Sequence, residues 1–372
     1  MKNKRVLIVG GAGFIGSHLA DHLLAEGHFV RILDELDPQV HGLASLPAEL
    51  PSDAEFVKGD VRNRRSVDRA LRRIDVVFHL AASVGVGQSM YQIAHYTSNN
   101  AFGTAVLLEA LADHPVERLI VASSMSIYGE GLYLDVNNRV VPNVKRDLAQ
   151  VRRRRWEIVD ADGVPLRPLP TPEDKPVEPQ SVYALLKHHQ ERMCLCVGEA
   201  YSIPTVALRF FNTYGPRQAL SNPYTGVIAI FASRMLNNRQ PMMFEDGSQQ
   251  RDFVSVHDVA QACRLAMEVP DIAGMVFNIG SGRPISIKEL ARHVARVLGK
   301  NNLQPITTGK YRIGDVRHCF ADITRARRML GYEPKVTLDQ GLGDLAGWLD
   351  GRVAMDLVPQ ASAELAARGL TL

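Results

Sequence analysis

Cysteine is scarce in this 372-residue chain. Cys194, Cys196, Cys263 and Cys319 form no C-x-x-C pair and no disulfide-like framework, which leaves no motif for a metal and predicts reduced core thiols. Neither sign of charge is in excess: 43 Lys and Arg face 40 Asp and Glu, a formal net charge of +3, which gives no reason to expect a polyanionic partner. No apolar run reaches the roughly 18–20 residues that a bilayer span requires. The basic start, Met1 to Arg5, leads into a short apolar run that soon turns glycine-rich, as a buried first strand does and a signal peptide does not. No repeat of fixed period occurs. What remains, 46% hydrophobic and 22% charged residues, is the profile of a globular protein with one large core or two smaller ones, and a cytoplasmic enzyme is the expectation.

Against these absences stands one dense signal. Arg5-Val-Leu-Ile-Val9 reads as a parallel strand buried on both faces. Gly10-Gly-Ala-Gly13-Phe-Ile-Gly16 follows at once and opens a helix-like stretch through Leu24. The first glycine permits a tight turn, the middle one lets backbone approach a pyrophosphate, and the last allows close helix–strand packing. Free N–H groups at the helix start then favour an anion. The next strand, Val30 to Leu33, ends in Asp34, eighteen positions past Gly16. A carboxylate there accepts hydrogen bonds from ribose hydroxyls and repels a 2′-phosphate, so NAD is expected over NADP.

Strands ending in Asp60-Val61, in Ala81-Ala82 and in Ser123-Ser124 continue the alternation, with a helical stretch from about Tyr91 to Ala112 between the last two. This predicts an α/β protein with a Rossmann-like doubly wound parallel sheet, its ligands outside the carboxyl ends of the strands. Asp60 is a candidate for the adenine amino group, with a turn role as the alternative. From 131 to 179 the pattern breaks into a long insertion that includes four adjacent arginines, Arg152 to Arg155. No aromatic platform accompanies them, so a solvated or oligomer-facing patch is expected rather than nucleic-acid binding. The expected division is a cofactor domain over 1–211 including the insertion, a smaller α+β substrate-binding lobe over 212–350 with some segments returning to the first domain, and a peripheral tail over 351–372.

Tyr183 and Lys187 lie four residues apart in Ser181-Val-Tyr-Ala-Leu-Leu-Lys187. On a helix they share one face, and an ammonium beside a phenol favours the phenolate, lowering its pKa toward the range of a working base.

Taken together with Ser123-Ser-Met-Ser-Ile-Tyr-Gly129, Arg209-Phe-Phe-Asn-Thr-Tyr-Gly-Pro216, Arg251-Asp-Phe and Arg312-x-Gly-Asp315, these segments resemble the extended short-chain dehydrogenase/reductases, in their nucleotide-sugar epimerase/dehydratase branch. The resemblance implies Tyr183 as catalytic base, Lys187 as its tuner and ribose ligand, and Ser124 as the hydroxyl that binds the reacting sugar oxygen. It implies cofactor contacts from Gly10, Gly13, Phe14, Ile15, Gly16, Asp34, Asp60, Val61, Ala81, Ala82, Asn100 and Phe210, together with Tyr183 and Lys187. Substrate contacts would come from Ser124, Ser126, Asn212, Arg217, Arg251 and Arg312 on a nucleotide-diphosphate sugar, arginine suiting phosphate by its fixed charge and planar donors. Dehydratases of this branch resemble Thr-Asp-Glu where this chain has Ser124-Met125-Ser126, so a 4-epimerase is implied. The insertion, ending in Leu169-Pro-Thr-Pro-Glu173, and the run Ser221 to Val227 look similar to the dTDP-L-rhamnose 4-epimerases; a UDP-hexose or UDP-uronate 4-epimerase is the alternative. A non-catalytic NAD-binding scaffold is the reading from another class. Many relatives pair through the helices corresponding to Tyr91–Ala112 and Tyr183–Tyr201, which implies a homodimer.

Overall fold

A computed structural model describes residues 3–42, 47, 49–141, 143–224 and 226–372. At its centre is a seven-stranded parallel sheet. In spatial order the strands are Val276–Ile279, Thr205–Phe210, Arg118–Ser124, Val76–His79, Arg5–Val9, Phe29–Asp34 and Glu55–Lys58. Chain order reverses between Arg5–Val9 and Val76–His79, and at such a switch point a crevice opens at the carboxyl ends of the strands. The glycine-rich turn after Val9 and the alanines after Leu80 border that crevice.

Successive strand side chains alternate between two covered faces. Val6 and Ile8 join one core cluster with Leu19 and Leu23 of helix Phe14–Ala25 and with Val259, Cys263 and Met267 of helix Val256–Glu268. Leu7 and Val9 join the opposite cluster, with Val67, Leu107, Leu111 and Cys194 from three helices on the other side. The doubly wound sheet expected from the chain is therefore present, and its seventh strand is supplied from beyond residue 212.

A separate core of Phe231, Met235, Leu290, Val294, Leu342 and Leu345 holds together helices Val227–Leu236, Ile287–Val297 and Leu338–Leu349. Two of these helices begin with reciprocal capping boxes, Ser286 with Glu289 and Thr337 with Gln340, which satisfy N–H groups that a helix start otherwise leaves open.

Two elements, the helix expected over Tyr91–Ala112 and the tail, differ from expectation. The helix expected over Tyr91–Ala112 is interrupted by a π-helical turn, Thr97–Phe102, between Ile93–Tyr96 and Gly103–Asp113. The wider turn carries Asn99 and Asn100, the latter fully buried, and such turns gather at functional sites. The insertion is a folded unit: strands Val140–Val141, Leu132–Leu134 and Arg167–Leu169 pair antiparallel around a small core of Tyr133, Val144, Ile158 and Leu166. Arg152 to Arg155 all lie on its exposed side.

The tail is not peripheral. Helix Val358–Ala367 buries Ala361 and Leu365, and the last residues pair with the chain near Arg312: Leu372 exchanges backbone hydrogen bonds of 2.8 and 2.9 Å with Tyr311, and Ile313 N–H donates to Leu370 O at 3.0 Å. An apolar helix face finds a partner wherever the tertiary fold offers one, and here it is the Val86–Ser89 segment, where a methyl group on Gly87 would stand 3.3 Å from Leu365.

Candidate active site

The glycine-rich turn is built for close approach. Gly10 has φ +81°, and a methyl group there would lie 2.6 Å from the Ala81 nitrogen. One on Gly16 would lie 2.6 Å from the Gly11 Cα. Gly13 meets only the Gly10 carbonyl, at 3.4 Å, so its outer side is open. No side chain caps the helix that starts at Phe14, and the first-turn N–H groups of Phe14 and Ile15 remain for an anion. Asp34 closes over this turn by accepting from Ala12 N–H at 3.0 Å and Leu36 N–H at 2.9 Å. These features fit a dinucleotide: a cradle that any Cβ would fill, an uncapped helix start and an oriented carboxylate.

Other expected cofactor residues surround the same crevice. Ala81 abuts Gly10, and Val61 packs on Gly103 at the head of its helix. The Asn100 amide bridges both backbone polar groups of Ser83, at 2.7 and 3.0 Å. Phe210 sits beside Ser124 in the sheet register. Asp60 is less free than expected, because Arg62, which the sequence reading passed over, grips it with Nε at 2.9 Å from both carboxylate oxygens. Burial raises the Asp60 pKa, but the Arg62 hydrogen bonds outweigh it and hold the carboxyl below its usual range. An adenine contact would have to share that carboxylate.

The groups of the expected reaction centre do meet. Ser181 caps helix Val182–Ala200 by accepting from Ala184 N–H, and Tyr183 N–H donates to Ser89 Oγ at 3.0 Å, which pins the first turn. The Ser124 hydroxyl lies close enough to the Tyr183 phenol to oppose the rise of its pKa, while Ser126 reaches Ser124 Oγ with its hydroxyl at 2.9 Å and its N–H at 3.2 Å. Lys187 is 4% exposed and donates to Gln190 Oε1 at 3.0 Å.

Lys187 was expected to lower the Tyr183 pKa; the structure corrects this. Burial pushes the phenol up to about 12, opposed only by the Ser124 hydrogen bond. Burial also pushes the Lys187 ammonium down to about 8. Removing both groups from water costs more than the helix spacing returns.

The expected substrate residues divide. Asn212 Oδ1 is buried without a partner in the protein, an acceptor left for something else. Arg251 spends its guanidinium on the carbonyls of Gln250, Val316 and Arg317. Arg312 forms a two-pronged pair with Asp315, at 2.7 and 3.0 Å, with its guanidinium 5.4 Å from the Phe244 ring centre. Arg217 stands elsewhere: it pairs with Asp21 of the first helix at 2.6 Å and lines a cavity of about 240 Å³ with Ala12, Phe14 and Trp348. Its place is beside the glycine-rich turn, so the substrate role expected for it is withdrawn.

The sequence reading missed Ser89, His79, Thr104 and Gln190, and the tail around Tyr91, where Arg368 stacks at 4.4 Å. Only Gln190 had a signal, lying one helical turn beyond Lys187. Among the described residues no group of three or more His, Cys, Asp or Glu could hold a metal ion, and no helix is long and apolar enough to cross a membrane.

Comparison with known proteins agrees with this geometry. The model of the NAD dependent epimerase/dehydratase family matches residues 6–146 and 160–280. A dTDP-L-rhamnose 4-epimerase of Burkholderia thailandensis is 35% identical over 350 residues, covering 93% of this chain and 95% of that protein. The UDP-glucose 4-epimerase of Thermotoga maritima, solved with UDP-glucose, aligns with a TM-score of 0.74 at 32% identity over 93% of this chain and 98% of that one. That of Thermus thermophilus, solved with NAD, gives a TM-score of 0.72 at 30% identity over 94% and 100%.

Proposed function

The chain belongs to the NAD dependent epimerase/dehydratase family, and we propose that it is a nucleotide-sugar 4-epimerase acting on dTDP-L-rhamnose, which it interconverts with the 6-deoxy-L-talose form. The observation that carries the chemistry is the approach of Tyr183 to Ser124, whose hydroxyl Ser126 reaches at 2.9 Å, on the same helix as the buried Lys187. NAD is the cofactor, held by the glycine-rich turn, Asp34 and Asn100; when bound, it supplies reversible hydride transfer. Ser124 holds the C4 hydroxyl of the sugar, and Tyr183 takes its proton. A phenol whose pKa burial has raised to about 12 needs a cation nearby to release its own proton at neutral pH, and Lys187 is that cation. The ketone formed at C4 turns over within the pocket before Tyr183 returns the proton. Met125 and Ser126 stand where an acid pair would drive loss of water, so elimination has no acid to serve it.

The choice of sugar rests on the 35% identical rhamnose epimerase and on the insertion, proposed here as one wall of the pocket. Arg146 of the insertion touches the Asp315 carbonyl, next to the Arg312 pair. UDP-hexose and UDP-uronate 4-epimerases form the second reading, favoured by solved neighbours carrying UDP-glucose and UDP-glucuronic acid. Pairing of two copies is supported by Ile93, Phe102, Leu185 and Tyr201, large apolar side chains left exposed on the two helices implicated above.

The test is incubation with dTDP-L-rhamnose, UDP-glucose and UDP-glucuronate, with C4 inversion followed by NMR. The expected outcome is the highest kcat/KM for dTDP-L-rhamnose. Faster inversion of a UDP-sugar reassigns the substrate, and no inversion of any sugar overturns the epimerase reading.

A further inference from the structure

Among the described residues, buried Lys187 has one hydrogen-bond acceptor, and it is a neutral amide. Gln190 is 1% exposed and takes the Lys187 ammonium on Oε1 at 3.0 Å. Its Nε2 donates to Thr104 Oγ1 at 2.9 Å and to the Ala81 carbonyl at 3.4 Å. The Thr104 hydroxyl proton is already committed to the Asn100 carbonyl at 2.6 Å. His79 Nε2, 2.8 Å from Thr104 Oγ1, must then be the donor of that contact. With its proton spent, Thr104 only accepts from Gln190, and the Ala81 carbonyl can do nothing else. Turning the amide over would set its NH₂ against the ammonium and its oxygen against the Thr104 and Ala81 acceptors, with only the His79 Nε2–H, 3.3 Å away and already spent on Thr104, to favour it. The network therefore favours one orientation of Gln190, with the oxygen toward Lys187.

We propose that Gln190 is a positioning residue for Lys187: its fixed amide oxygen takes one of the three ammonium donors and leaves two for the vicinal hydroxyls of the cofactor's nicotinamide ribose. The inference rests on the reading of Lys187 as partner of Tyr183. It also ties the catalytic helix to the π-helical turn that carries Asn100, and to the Ala81 backbone that abuts the glycine-rich turn, so one side chain braces three parts of the cofactor site.

No other group around Lys187 does this work. On its own helix, Glu191 is bound on both oxygens by Arg209, at 2.7 and 3.0 Å. Cys194 is pushed up to about 12 by burial and stays a neutral thiol. Tyr183, whose phenol burial pushes up to about 12 in the protein alone, is not among the hydrogen-bond acceptors of Lys187. From the strand beneath, His79 is pushed down to about 3 by burial and by Lys187 itself, and stays neutral. Cys194 and Glu191 also favour the ammonium electrostatically, but among the described residues the Gln190 amide is the one group that hydrogen-bonds it.

Burial holds the Lys187 pKa down, so the cation is lost as pH rises through it, and an acceptor works against that loss. Replacing Gln190 by methionine keeps the volume and removes the acceptor. The alkaline limb of kcat/KM should then move to lower pH by about one unit, the scale of one hydrogen bond to a charged group. The pH dependence of NAD affinity, titrated by calorimetry on cofactor-stripped protein, should move with it. Gln190→Glu, which keeps an oxygen and adds charge, should move both limbs the other way. Wild-type pH limbs for both rate and NAD affinity in Gln190→Met overturn the proposal, as does an equal pH-independent loss in both variants. Should Gln190→Met not fold, Thr104→Val replaces it; freeing the amide to turn should produce the same downward shift, and its absence counts against the proposal. Lys187→Met separates the two readings: if it retains wild-type turnover, the Tyr183–Lys187 assignment itself fails, whatever Gln190 does.

Discussion

Lys187 and Arg317 are both buried cations, 4% and 0% exposed, yet their surroundings are opposite. Arg317 is saturated with anions. Its NH1 donates to Glu245 at 2.8 Å and Asp246 at 2.7 Å, its NH2 to Asp246 at 3.0 Å, and its Nε to Glu157 at 3.0 Å, while its backbone N–H meets Glu130 at 2.8 Å. Arg146 adds a second cation between Glu130 and Glu245. Burial alone would lower the Arg317 pKa, but the bonds from Asp246 and Glu157 outweigh it and raise the value. Lys187 has an amide oxygen instead, and burial wins. The first arrangement holds a charge permanently and clamps the insertion, through Arg146 and Glu157, to Glu245 and to Arg317 with its partner Asp246. The second leaves the charge responsive, as acid–base work requires. Burial of a cation therefore says little by itself; the count of anions around it separates a clamp from a reactive centre.

The widest separation between the two is expected from Tyr183→Phe. Turnover should fall by on the order of 10²–10⁴, the scale of a lost acid–base group, with substrate affinity and melting temperature nearly unchanged. A large loss of stability with modest loss of rate would make the catalytic cluster a second clamp and break the comparison.

Arg317→Met should do the reverse. It leaves Glu157, Glu245 and Asp246 without their shared cation; because Glu157 and Asp246 are 41% and 39% exposed and Glu245 keeps Arg146, the loss should fall below the roughly 3–5 kcal/mol of a fully buried, uncompensated charge. Urea unfolding measures this, and the protein that remains folded should keep NAD binding. A variant as stable as the wild type would show that the cluster adds no net stability.

The smallest effect is one of pH. Burial raises the Glu157 carboxyl, but hydrogen bonds from His318 and Arg317 outweigh it and bring it down to about 2. A carboxyl depressed on folding contributes stability that is full above the unfolded value of 4.5 and is lost as pH falls from there toward about 2. Glu157→Gln should flatten the acid limb of stability in that window, only slightly because the side chain is 41% exposed. Acid titrations followed by circular dichroism compare the two proteins. Unchanged acid limbs would assign the acid sensitivity to other carboxylates.

Much of the sheet was legible because its central strands are short apolar runs flanked by turn residues, a local property. The glycine-rich turn was legible for a stronger reason: Gly10 at φ +81° and 2.6 Å from Ala81 admits no other residue without strain. The internal fold of the insertion was not legible, because strands of two or three residues carry no periodic signal and the unit is anchored from outside by ion pairs of Arg146 with Glu245 and of Glu157 with Arg317.

The anion cradle at Gly13, the acid at Asp34 and the shared face of Tyr183 and Lys187 were determined by residues close in the chain, since backbone conformation and helix spacing are local matters. Tertiary structure alone decided the rest. It turned Arg217 toward Asp21 and Arg251 onto three carbonyls, brought the tail beneath Gly87, and reversed the sign expected for the Tyr183 pKa. Gln190 and His79 lie 111 positions apart in sequence but 3.3 Å apart in space. Desolvation and hydrogen-bond competition depend on which distant groups arrive at a site, and no short window of sequence contains them.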